Sequence, residues 1–113
     1  MAINLSTLVN QTNPIQLCKA WVNFNGATGA IRDSYNVSSV TVQATGQYLI
    51  SFVTAFATTN FACVVGAGNY TLGNYYGLSS NSAVSTGNIT IQTASLAGSP
   101  LSAGFVSAII FSS

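Results

Sequence analysis

Rhythm is what most limits the fold of this chain. From Cys18 onward, short apolar runs are cut by Gly, Ser, Thr and Asn clusters at a spacing of roughly 8–12 residues, the signature of successive antiparallel strands. Trp21-Val22-Asn23-Phe24 reads as a strand closed by Asn25-Gly26, and residues 30–37 and 39–42 as the next one or two. In 47–56, Tyr48, Ile50 and Phe52 alternate with Leu49, Ser51 and Val53; both sets carry apolar residues, which suits a sheet covered on both sides. Residues 61–65 form a further strand, followed by a Gly-rich stretch over 66–77. In 88–93 two Ile residues face one way and Thr mostly the other, and 101–111 is a long apolar final strand. No segment after the first residues holds a helical period. The expectation is an all-β domain, an antiparallel β-sandwich or jelly roll.

Charge bounds the function. Of 113 residues only 3% are charged, namely Lys19, Arg32 and Asp33, and there is no His and no Glu. Acid–base catalysis needs a side chain that exchanges protons near working pH, and paired-carboxylate, Ser-His-Asp and Cys-His sites cannot be assembled from this set. The chain is therefore read as non-catalytic, with no cofactor and no metal. A hard-cation site would need three copies of Asp33 gathered on a symmetry axis. Two cations cannot supply the phosphate contacts of nucleic-acid binding or a polybasic membrane patch.

The chain is 49% hydrophobic with a mean hydropathy of +0.48, yet no run approaches the length of a spanning helix, so no membrane insertion is expected. The N-terminus lacks the basic and apolar regions of a secretory signal, which points to synthesis in a cytoplasm. A neutral, apolar chain of this kind is expected to hide surface against copies of itself. Residues 1–17 hold an apolar cluster (Ile3, Leu5, Leu8, Val9) and a Thr-Asn-Pro turn signal. They read as an attachment arm, spanning roughly 55 Å if extended, and 18–113 as the domain.

Several residues stand out. In the 66–77 stretch, Asn69, Tyr70, Asn74, Tyr75 and Tyr76 have the composition of an adaptable recognition surface, suited to neutral sugars; the alternative is a turn whose Tyr rings pack inward. Cys63, mid-strand among apolar neighbours, reads as a buried thiol. Cys18, beside Lys19, is a candidate for an intermolecular disulfide, while two reduced thiols or a Cys18–Cys63 bridge remain open. Arg32 and Asp33 are adjacent on a strand, so they are expected on opposite faces, as an interface or surface ion pair that a trimer forms between neighbouring chains; a receptor contact is the alternative. Trp21 is expected in the core.

The string CKAWVNFNGATGAIRDSYNVSSVTVQATGQYLISFVTAF over 18–56 resembles the C-terminal tip domain of tail fibres in tailed bacteriophages, including marine and cyanobacterial ones. Asn60-Phe61-Ala62-Cys63-Val64-Val65 and the closing strand over 104–111 extend the resemblance. The turn Val42-Gln43-Ala44-Thr45-Gly46-Gln47 stands where that family often has an acidic turn. The resemblance implies a homotrimeric β-sandwich in a virion that takes part in host binding. Residues 1–18 then dock it to a tail or baseplate protein, and the distal loops contact host surface polysaccharide. A trimeric capsid decoration protein is the rival reading, and a small neutral-sugar lectin the third.

Overall fold

The computed structural model describes residues 17–68, 75–95 and 97–112. Eight strands build it: β1 Leu17–Phe24, β2 Ile31–Tyr35, β3 Val37–Ala44, β4 Gln47–Phe52, β5 Ala62–Gly68, β6 Tyr75–Val84, β7 Asn88–Ser95 and β8 Phe105–Ser112. They form two antiparallel four-stranded sheets, sheet A in the order β2-β1-β8-β5 and sheet B in the order β3-β4-β7-β6. The pairs β1–β2, β3–β4 and β6–β7 are hairpins within one sheet, whereas a jelly roll sends nearly every consecutive strand to the opposite sheet. The architecture is thus the plain sandwich.

Period-two alternation explains why the sheets close on each other. Ala20, Val22 and Phe24 from β1 point inward with Val106, Ala108 and Ile110 from β8; Tyr48 and Ile50 from β4 and Ile89 and Ile91 from β7 meet them from sheet B. Tyr48 is fully buried, edge-on to Phe24 at 5.0 Å, and its hydroxyl donates to the Gly26 carbonyl at 2.8 Å. A side chain at Gly26 has no room, since a Cβ there meets the Tyr48 hydroxyl at 2.6 Å.

One residue carries the chain from sheet A to sheet B. Asn36 joins β2 to β3 with φ at 56°, a left-handed conformation that Asn tolerates better than most residues. Its side-chain amide donates to the carbonyls of Lys19 (3.0 Å) and Thr54 (3.2 Å), and its Oδ1 accepts the Thr54 N–H (2.8 Å). The crossing is thereby tied both to β1 and to the turn after β4.

The boundaries differ from the sequence expectation in several places. The strand expected over 47–56 ends at Phe52, and Phe56 folds back to stack on the Phe52 ring at 4.5 Å. Both ends of the Gly-rich stretch are strand, since Gly66–Gly68 end β5 and Tyr75–Gly77 begin β6, while 69–74 lie outside the described residues. β6 itself was not expected as a strand. The last strand starts at Phe105, because Leu101 is tied by its N–H to the Thr93 carbonyl. Of the expected arm, Leu17 belongs to β1 and 1–16 lie outside the described residues.

Candidate functional site

Among the described residues, nothing covers the outer face of sheet A. Pairing sets Tyr35, Trp21, Ile109 and Val64 in one row across β2, β1, β8 and β5. The next row holds Cys18, Phe111 and Ala62. Tyr35 is 57% exposed, Val64 62%, Phe111 40% and Ile109 39%, so these rings and branched chains meet solvent in a contiguous band. A shallow hollow of about 220 Å³ opens in the band between Cys18, Trp21 and Ile109. Trp21, expected in the core, is instead half-buried on this face: Ala20 and Val22 point inward, and alternation sends the residue between them out.

Polar rows continue the same face toward the other end of the strands. Asp33, Asn23, Ser107 and Gly66 lie across from one another, and Phe105 pairs with Gly68 beyond them. Arg32 and Asp33 do not take opposite faces as expected. The register shifts between Asn23 and Phe24, and that bulge carries the Arg32 guanidinium onto the outer face. There it sits 4.3 Å from the centre of the Phe105 ring and donates to the Gly104 carbonyl (2.7 Å) and Asn23 Oδ1 (3.3 Å). Asp33 accepts the Ser34 N–H. Both residues already have partners within the chain.

The two thiols part company. Cys63 pairs with Ile110, an inward position, whereas Cys18 pairs with Phe111 on the outer face. They are on the two strands that flank β8 and on opposite faces of the sheet, so a Cys18–Cys63 bridge within one chain is excluded. Both are free. Burial pushes the Cys63 thiol up to about 11, which makes it an inert filler of the core margin. The Cys18 thiol donates weakly to the Ala20 carbonyl at 3.4 Å and stands in the apolar band.

Of the expected recognition residues, Asn69, Tyr70 and Asn74 lie outside the described residues. The backbone of Tyr75 and Tyr76 opens β6, paired with Ser95 and Ala94, so these two belong to a strand and not to a loop.

The structure adds a site that sequence reasoning missed. At the end of the sandwich where β1 begins and β8 finishes, a cleft of about 550 Å³ is walled by Lys19, Tyr35, Asn36, Thr54, Phe56 and Ser112. Its floor is firm, because Phe56 lies within a cluster with Phe52 and Phe61, edge-on to the latter at 5.0 Å. No ion pair engages Lys19 among the described residues, and the chain's one acidic side chain, Asp33, stands opposite Asn23. These walls come from four separate stretches of chain; the one local signal was an Asn at the β2–β3 crossing, a residue type that marks left-handed backbone.

Comparison with family models, with curated proteins and with solved structures returns no match.

Proposed function

We propose that the chain is a non-catalytic structural module of a bacteriophage virion, a homotrimeric sandwich in a short tail fibre. In the trimer neighbouring copies cover the outer face of sheet A over β1, β8 and β5, and the edge strand β2 with Tyr35 stays in solvent. The row of Trp21, Ile109 and Val64, continued by Phe111, carries this reading. An apolar band running across these three strands has the composition of an interface core, and neither of its two rows holds a charged side chain to be desolvated on assembly.

The virion assignment draws on the resemblance over 18–56 and on the scarcity of charge. In this reading the N-terminal segment docks to the tail, and the segment from Asn69 to Tyr76 faces the host surface. Labelling or imaging of intact particles tests it. A few copies at the tail support the fibre; many copies spread over the shell replace it with a capsid decoration protein, and absence from particles removes the virion reading altogether.

A further inference from the structure

We infer that the cleft at the end of the sandwich binds a saccharide carrying an anionic group, either a carboxylate or a phosphate. The inference does not rest on the assembly reading. The cleft's volume of about 550 Å³ falls in the range of small-molecule sites, roughly 300–1,000 Å³. Its lining combines three chemistries in the proportions such a ligand needs.

The first is charge. Lys19 is one of two cationic side chains in the sequence, and the other, Arg32, is engaged by Asn23, Gly104 and Phe105. Lys19 forms no ion pair among the described residues, so an incoming carboxylate or phosphate gains a charge-assisted contact without displacing one. No acidic side chain stands in the lining to oppose an anion. The second is a ring. Tyr35 lies on edge strand β2 with more than half its surface exposed, and the C–H face of a sugar complements the electron-rich face of an aromatic ring. The third is fixed polar geometry. Asn36 spends both its amide donor and its carbonyl on Lys19 and Thr54, which clamps β1 and the turn after β4 into a set width before any ligand arrives. A neutral sugar uses the ring but not the cation, and an inorganic anion uses the cation but not the ring.

The experiment titrates the uniformly ¹⁵N-labelled full chain with trigalacturonate, glucose 6-phosphate, maltotriose, acetate and inorganic phosphate, following amide shifts. The expected result is saturable movement of the Asn36, Thr54 and Phe56 amides with trigalacturonate or glucose 6-phosphate, whichever responds identifying the anion. Lys19→Met weakens that binding about tenfold, as does added salt, because one exposed charge contact is removed or screened. Tyr35→Ala weakens it several-fold, with the circular dichroism of both variants unchanged. Equal response to maltotriose overturns the role of Lys19. Equal response to acetate or inorganic phosphate reduces the site to an adventitious ion only and overturns the saccharide. Shifts elsewhere, or none, overturn the cleft. Oligomeric mass, measured on the same samples, reports on the assembly reading separately.

Discussion

Replacing Asn36 by alanine removes two supports at once. The side chain makes three hydrogen bonds, to the Lys19 carbonyl, the Thr54 carbonyl and the Thr54 N–H, at 3.0, 3.2 and 2.8 Å. Each is partly exposed, so the three together contribute about 2 kcal/mol, near the lower end of the net value for such bonds. The backbone adds to this. At φ 56° alanine pays for its Cβ, about 1 kcal/mol for a left-handed residue. Asn36→Ala is therefore destabilised by about 3 kcal/mol, and Asn36→Gly, which keeps the backbone unstrained, by about 2 kcal/mol. Urea unfolding at one fixed protein concentration reads both, and with a slope of about 1.5 kcal/mol/M the alanine midpoint falls by about 2 M. The ranking is the sharp part. If alanine is as stable as wild type to within about 0.5 kcal/mol, or glycine is the worse of the two, the clamp is not what holds the crossing.

Other outcomes follow from the core and the thiols. Tyr48→Phe strands the Gly26 carbonyl in the interior and costs about 1–2 kcal/mol in the same urea assay. Gly26→Ala costs more, because a Cβ meets the Tyr48 hydroxyl at 2.6 Å as well as backbone, and differential scanning calorimetry shows it as the larger loss in melting temperature. Cys63 sets a pH dependence. Its folded-state value of about 11 lies above the ordinary 9.0, so the unfolded chain loses its proton first, and stability is full below pH 9 and declines as pH rises toward 11. Cys63→Ala shows a shallower decline over that window, which unfolding curves at successive pH values reveal.

The sequence was readable where inward positions are uniformly apolar. β1, β4 and β7 carry Val22 and Phe24, Tyr48 and Ile50, and Ile89 and Ile91 on one face, and the sequence pattern finds all three, missing the start of β1 and overrunning the end of β4. β6 escaped notice because YYGLSSNSAV has no such stripe and small polar residues dominate its length. Glycine weakens a strand, so the sequence pattern of 66–68 gives a loop, yet Gly66 and Gly68 are paired to Ser107 and Phe105. Trp21 was misplaced by its apolar neighbours, although alternation with Ala20 and Val22 gives the right face. Arg32 could not be placed by alternation, since a bulge breaks it. The apolar band was half visible: in β8 both alternating sets are largely apolar, and only the observed strand order supplies the partners that make a row of Ile109. The cleft was invisible, because residues 19, 35–36, 54–56 and 112 meet only after both sheets have formed.

In the proposed trimer, copies of this chain cover the outer face of sheet A over β1, β8 and β5. Sedimentation equilibrium of the purified chain beside Val64→Glu tests it most directly, because Val64 is widely exposed and its substitution leaves the core untouched. The expected result is three chain masses for the wild type and one for the variant, with the same β-sheet circular dichroism in both. A wild-type chain that is monomeric at tens of micromolar, or a variant that keeps the trimer, contradicts it.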